Sequence, residues 1–230
     1  YREAGDCGAS IDYYQKGLKA IKKVSGKHSG DTADFLIGLG DSYKKNDEYD
    51  KALDSYLQAL ELYKEKQSDP TWIYIRLARV YDKMGEDGTA EEYYHTAALS
   101  GNADNYTRGV IRFNLGILYQ KMGRGQEAFT LYQEALELIN RDGGYEAAES
   151  SVRSYLAIAY ADTEHDLNNA ILYAVSACRI REKLASPHLE DQKSLEEFKD
   201  QLKGYYQEST GDRTEEGFEE WYGKQMENPL

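Results

Sequence analysis

Arg76 and Arg79 stand three residues apart in the stretch that begins at Trp72, so on a helix their guanidinium groups occupy neighbouring rows of one face. Two planar cations so placed can hold a carboxylate through charge-assisted hydrogen bonds. The chain has 230 residues and a net charge of −13, which makes a basic pair a local exception. Asn114 follows 38 residues after Arg76, and Trp72 and Phe113 flank the set with aromatic surface. Such a combination suits an extended or helical peptide that offers a carboxylate together with apolar anchors. The competing reading of the arginines is structural: a salt bridge to an adjacent acidic helix, such as one carrying Asp41.

Other chemistry finds little support. His28, His95, His165 and His188 are isolated, with no His-x3-His or Cys-x2-Cys spacing to hold a metal on one helix face, so neither metal nor cofactor is expected. Gly-Arg-Gly at 123–125 and Asp-Gly-Gly at 142–144 lack the lysine and the strand-to-helix context of a phosphate loop and read as turn residues with positive φ. Nothing pairs two carboxylates in an apolar setting, so no catalysis is expected. Cys7 and Cys178 lie far apart, which predicts no disulfide and suits a reducing, cytoplasmic interior. An acidic chain lacks the cationic stripe that would neutralise phosphates, which argues against nucleic acid and against an anionic membrane surface. No apolar run approaches the ~18 residues of a membrane span, and no secretory leader is recognised.

The elements that must position the arginines follow from an internal repeat. Leu39-Gly40-x2-Tyr43 is followed nine residues after the tyrosine by Ala52 and then by Tyr56. The same step recurs as Leu77, Ala78, Tyr81, Ala90, Tyr94 and as Leu115, Gly116, Tyr119, Ala128, Tyr132, with a looser copy at Leu156, Ala157, Tyr160, Ala170, Ala174. Within each copy the apolar and small positions recur three or four apart, the spacing of one helix face. Polar turn-forming breaks at Asn46-Asp47-Glu48, Gly85–Gly88, Gly123-Arg124-Gly125 and Thr163–Asp166 divide each copy into two helices. Breaks this short predict antiparallel helical hairpins. Small residues at 40, 78, 116 and 157, and at Ala52, Ala90, Ala128 and Ala170, predict close helix approach, with Ala59, Ala97, Ala135 and Ala177 two turns further on the same face.

On these residues the chain resembles the tetratricopeptide repeat family over most of its length. The resemblance implies an all-α, right-handed superhelical solenoid of antiparallel helix-turn-helix repeats. The equivalent leucines are spaced 38, 38 and 41 residues apart, longer than the family's period of about 34, and the closing proline is missing. Ala52–Lys66 and Ala128–Arg141 are rich in strong helix formers, which predicts about one extra turn in each second helix. Kinesin light chains and peptide-sensing bacterial regulators have similarly stretched units, a likeness confined to period. The expected layout is a second helix of a truncated repeat at 10–24, complete repeats at 33–66, 71–104, 109–142 and 150–184, and degenerate capping helices at 188–226. Phe198, Leu202 and Tyr205 are expected to dock that cap, with Phe218, Trp221 and Tyr222 on the last helix, and Glu227–Leu230 are expected to fray. Because no first helix fits in residues 1–9, the chain reads as a fragment of a longer protein.

In tetratricopeptide proteins the first helix of each unit lines a concave channel. Carried over, the channel positions are Ile37 and Asp41, then Trp72, Ile75, Arg76 and Arg79, then Phe113, Asn114 and Ile117, then Tyr155 and Ile158. The apolar members are either ligand anchors or core residues between successive first helices. Lys45, Lys83 and Lys121 also recur at a step of 38, but in the last turn of a helix, where a cation offsets the macrodipole. The carboxylate clamp of chaperone-binding members does not match: in its two possible registers, starting at Ile37 and Asp41 or at Ile75 and Arg79, only Asn114 fits. The expected function is a non-catalytic scaffold or adaptor binding a peptide segment of another protein. Two alternatives stay open: a regulatory peptide sensor attached to an effector domain, and the substrate-recruiting region of an enzyme.

Overall fold

A computed structural model of the chain describes residues 7–24, 30–100, 103–184 and 189–227. Among the described residues there are eleven helices and no strand. They are α1 (Cys7–Val24), α2 (Gly30–Lys45), α3 (Tyr49–Glu65), α4 (Thr71–Met84), α5 (Asp87–Leu99), α6 (Asn105–Lys121), α7 (Gly125–Asp142), α8 (Glu146–Asp162), α9 (Leu167–Leu184), α10 (Leu189–Thr210) and α11 (Glu215–Glu227). The pairs α2–α3, α4–α5, α6–α7 and α8–α9 pack as the expected hairpins. The chain divides into two compact units, Tyr1–Ala103 and Asp104–Leu230, so the first holds α1 to α5 and the second α6 to α11. Residues 228–230 of the expected frayed tail lie outside the described residues, as do His28 and His188.

Each hairpin turn is built the same way. A residue in the left-handed region ends the first helix: Asp47 (φ 58°), Gly85 (φ 80°), Gly123 (φ 76°) and His165 (φ 54°). The next residue then donates its N–H back to the carbonyl of the repeat tyrosine, as Glu48 to Tyr43, Glu86 to Tyr81, Arg124 to Tyr119 and Asp166 to Tyr160, at 2.8–3.0 Å. This satisfies a carbonyl that the helix end would leave orphaned. The same four residues accept at their own carbonyls from the N–H of Ala52, Ala90, Ala128 and Ala170. Five residues back to the tyrosine and four forward to the alanine make the nine-residue step of the sequence. In the fourth hairpin Asp166 lies six residues after Tyr160, which accounts for its step of ten.

The repeat tyrosines and alanines meet as the pattern requires. Tyr56, Tyr94 and Tyr132 are at most 1% exposed. Their rings need room on the facing first helix: a Cβ at Gly40 would lie 2.5 Å from the Tyr56 ring, and one at Gly116 would lie 2.6 Å from Tyr132. The second hairpin has Ala78 at this position with Tyr94 still buried, and the fourth has Ala157 and Ala174 buried in one cluster. Each first-helix tyrosine is covered by its own hairpin, through Lys51 over Tyr43, Tyr93 stacked on Tyr81, Arg124 over Tyr119 and Tyr173 stacked on Tyr160. Cation–π and ring-stacking contacts of this kind add roughly 0.5–1.5 kcal/mol each to the area they bury.

Several boundaries differ from expectation. The long second helix occurs at α3 and α7, with 17 and 18 residues, but α5 has 13 and ends where Ser100 turns extended. Asp104, expected at the end of a repeat, instead caps α6 by accepting from the Thr107 N–H at 2.7 Å, so α6 starts at Asn105 rather than 109. Gly125 has no positive φ and opens α7, unlike Gly123, Gly143 and Gly144. In the C-terminal part α10 packs on α9, and α11 touches both. Leu202, Tyr206, Phe218 and Tyr222 are buried with Cys178, while Phe198, Tyr205 and Trp221 are half-buried. Tyr206, one residue beyond the expected Tyr205, is the deeper ring. Both cysteines are unpaired thiols, and burial pushes that of Cys178 up to about 12.

Gly116→Ala should lower stability by roughly 1–3 kcal/mol in urea unfolding, since overpacking against Tyr132 outweighs the ~1 kcal/mol helix preference of alanine. Gly204→Ala in α10, where nothing lies within 4 Å of the added carbon, should raise it by about 0.5–1 kcal/mol.

Candidate functional site

In the first unit the arginine pair belongs to a larger polar cluster. Arg76 and Arg79 project from α4, Asp41 and Lys44 from α2, and Tyr56 reaches in from α3. Arg76 Nε lies 3.4 Å from Asp41 Oδ1, an ion-pair distance without hydrogen-bond alignment. Its Nη1 donates to the carbonyl of Trp72 at 3.2 Å. The Tyr56 hydroxyl donates to the same Asp41 oxygen at 2.7 Å. Side-chain exposure is 27% for Arg76 and 18% for Asp41, so the pair is partly desolvated and screened less than a surface bridge. Arg79 is exposed.

The electrostatics of this cluster are unbalanced. Lys44 is half-buried, and its ammonium is held below the usual lysine range first by that burial and then by the positive charge of Arg79, with Asp41 opposing. Burial raises the phenol of Tyr56, and the Asp41 charge raises it further. Burial also raises Tyr94 on α5, while the charge of Arg79 opposes that shift, so Arg79 acts on both tyrosines. Lys44, Arg76 and the exposed Arg79 therefore gather around Asp41, with Asp82 of α4 acting on Tyr94 beside Arg79. A further anion placed among them would relieve like-charge repulsion.

The other expected channel residues distribute unevenly. Ile75 is 1% exposed, so it is a core residue and not a lining one; an isoleucine side chain this enclosed has no surface to give a ligand. Ile37 is half-buried against the first unit's core, and Trp72 is 41% exposed. In the second unit Phe113, Tyr132 and Tyr155 form one aromatic cluster, with Phe113 and Tyr155 edge to face at 5.1 Å. Phe113, Asn114, Ile117, Tyr155 and Ile158 are all half-buried. Asn114 donates its amide to the Val110 carbonyl at 2.7 Å, on its own helix. The arginines and Asn114 thus belong to different compact units.

Lys44, Tyr56 and Tyr94 escaped the sequence reading as site members. Lys44 follows Asp41 at i+3, a spacing that would have placed it beside the pair. Lys45, Lys83 and Lys121 occupy last turns of α2, α4 and α6. Among the described residues no cluster of His, Cys, Asp and Glu could hold a metal ion, and no helix is long and apolar enough to cross a membrane.

Paired helices with a repeated tyrosine–alanine turn and a polar cluster carried by first helices define a helical-repeat protein of the interaction-module class. The chain belongs to the tetratricopeptide repeat family, whose models match residues 1–65, 73–105 and 107–183. It is similar to Protein KINESIN LIGHT CHAIN-RELATED 2 of Arabidopsis thaliana, with 24% identity over 73% of this chain, and to KINESIN LIGHT CHAIN-RELATED 1 of the same plant, with 21% over 70%. The chain spans 27% and 28% of the length of these two relatives. Its fold is similar to that of BtubC (BKLC) from P. vanneervenii, with a TM-score of 0.73 and 22% identity over 100% of this chain and 94% of that one. It is also similar to a Podosopora anserina putative kinesin light chain with nearly identical TPR-like repeats, at a TM-score of 0.60 and 16% identity over 80% and 91%. Proteins of this family are generally non-catalytic scaffolds for protein–protein interaction.

The Lys44 ammonium should titrate below the other lysines when side-chain carbon shifts are followed by NMR across pH. Arg79→Gln should move that midpoint upward, because a like charge is removed. Since the folded value is the depressed one, the contribution of Lys44 to stability should rise as pH climbs from it toward the ordinary lysine range, where the unfolded chain still holds the proton.

Proposed function

We propose that the first unit captures a carboxylate-bearing segment of a partner protein at Lys44, Arg76 and Arg79, and that the chain acts as a non-catalytic scaffold. The observation that carries this is the gathering of Lys44, Arg76 and Arg79 around Asp41, with the Lys44 ammonium already disfavoured by burial and crowding. Arg76 is oriented by Asp41 and the Trp72 carbonyl and is the fixed member of the set. Arg79 is the exposed member, and a guanidinium there offers the planar fork that carboxylates fit. The exposed ring of Trp72, on the same helix four residues before Arg76, supplies an apolar anchor beside the charges. Kinship with proteins named as kinesin light chain-related supports a part in a larger assembly. In the second unit the half-buried cluster of Phe113 and Tyr155, with Ile117, Asn114 and Ile158, is proposed as an apolar contact surface of its own.

Arg79→Glu should weaken partner capture at least about tenfold, a loss of ~1.4 kcal/mol, while leaving the melting temperature nearly unchanged. Arg76→Glu should weaken capture and also destabilise the fold by roughly 1–3 kcal/mol, because it sets a second carboxylate against Asp41. Capture by the wild type, followed by mass spectrometry of the bound proteins and mapping of the bound segment, supplies the readout. Undiminished capture by the Arg79 variant would overturn the assignment.

A further inference from the structure

Lys44 is the member of the polar cluster that the repeat does not require. It directly follows the repeat tyrosine, and the same position holds Asp82 after Tyr81, Gln120 after Tyr119 and Ala161 after Tyr160. Its neighbour Lys45 is the lysine that recurs at a step of 38, and it is exposed. Lys44 is half-buried. Among the described residues its ammonium makes neither a hydrogen bond nor an ion pair, although Asp41 stands one helical turn before it. That carboxylate is engaged elsewhere, by the Tyr56 hydroxyl at 2.7 Å and by Arg76 at 3.4 Å. The charges that act on the amine are those of Arg79 and Arg76 on α4 and of Asp41 and Lys45 on its own helix. Tyr56 of α3 faces the same charges, with its phenol kept protonated by burial.

An amine so placed has two properties at once. Burial and then the charge of Arg79 favour its neutral form, with Asp41 opposing, and the neutral form of a lysine is the nucleophile. Beside it lies a seat for an anion. Arg76 is oriented by Asp41 and the Trp72 carbonyl, while Arg79 is exposed and, among the described residues, has no hydrogen bond or ion pair. Planar forks of this kind match the oxygens of a phosphate. An unpaired amine next to a phosphate seat suits an electrophile that carries its own phosphate. We infer that Lys44 is an acylation site whose donor is an acyl phosphate seated by Arg76 and Arg79. The phosphate dianion rests on the guanidiniums, and Lys44 Nζ attacks the adjoining acyl carbon. The N–C bond forms as the C–O bond to phosphate breaks. The phosphate leaves with the electron pair of that bond, takes up the proton shed by the nitrogen and departs as hydrogen phosphate. The product is an uncharged amide, so acylation removes one cation from the cluster and weakens its hold on an anionic segment. That consequence rests on the function proposed above; the modification itself does not.

The test incubates the whole chain with acetyl phosphate and follows acetylation of each lysine over time by peptide mass spectrometry. Lys44 should react at least about tenfold faster than Lys45 beside it. Arg79→Gln removes the exposed fork and a like charge together, so it should slow Lys44 several-fold and leave Lys45 unchanged. Lys45→Arg should leave the rate at Lys44 as it was. Excess inorganic phosphate should slow acetylation of Lys44 by acetyl phosphate but not by the uncharged N-acetoxysuccinimide, because only the first donor needs the guanidiniums. Equal rates at Lys44 and Lys45 would overturn the inference. So would an Arg79→Gln protein of unchanged melting temperature in which Lys44 reacts as fast as before, or a phosphate excess without effect. The Lys44-acetylated chain should also bind the partner segment mapped for the wild type several-fold more weakly. Undiminished binding by that acetylated chain would support the modification and overturn the part given to Lys44 in capture.

Discussion

One backbone residue per hairpin holds the two helices in register, and the remaining structure follows from it. Glu48, Glu86, Arg124 and Asp166 each donate to a tyrosine carbonyl behind them and accept from an alanine N–H ahead. The first bond closes the end of one helix, and the second opens the next, so no polar group is stranded at the corner. Side-chain identity hardly matters at this position, where two glutamates, an arginine and an aspartate serve alike. What matters is a left-handed residue just before it, supplied by glycine twice and by Asp47 and His165 otherwise. With the corner set, Tyr56 and Tyr132 arrive opposite Gly40 and Gly116, and the close approach that buries them becomes possible.

That close approach also creates the polar chemistry of the first unit. Tyr56 is buried deeply enough that its hydroxyl emerges beside Asp41, and Asp41 then orients Arg76 on the next first helix. A scaffold residue of the repeat is thereby tied to the residues that vary between repeats. In the second unit the equivalent hydroxyl of Tyr132 meets Gln120 instead, at 2.7 Å, and the surrounding surface is aromatic and uncharged. The same hairpin geometry thus presents a cationic cluster in one unit and a ring cluster in the other, because the positions next to the buried tyrosine are unconstrained by the turn.

The first and last described helices keep the repeat to different degrees. At α10 and α11 the repeat pattern is lost, yet Leu202, Tyr206, Phe218 and Tyr222 still close over α9, and the outer side of α11 is acidic. At α1 the pattern persists, since Ser10, Tyr14 and Gly17 stand where an alanine, a tyrosine and an alanine recur. Tyr14 packs tightly on Gly38 of α2, leaving Tyr13 at the surface.

The hairpins were legible in the sequence because their determinants are local. The tyrosine–alanine step, the short breaks and the small residues opposite each ring are set by hydrogen bonds and contacts within about fifteen residues. The arginine pair was legible too, as two residues on one face, and so was the competing bridge to Asp41. Helix ends were less so: Asp104 caps α6 through one side-chain bond that composition does not announce. Tertiary structure alone decided that Ile75 is core and that Lys44 joins the arginines with its charge disfavoured. Burial and electrostatic crowding depend on which helices meet across a repeat, a distance of some 38 residues that no local pattern encodes.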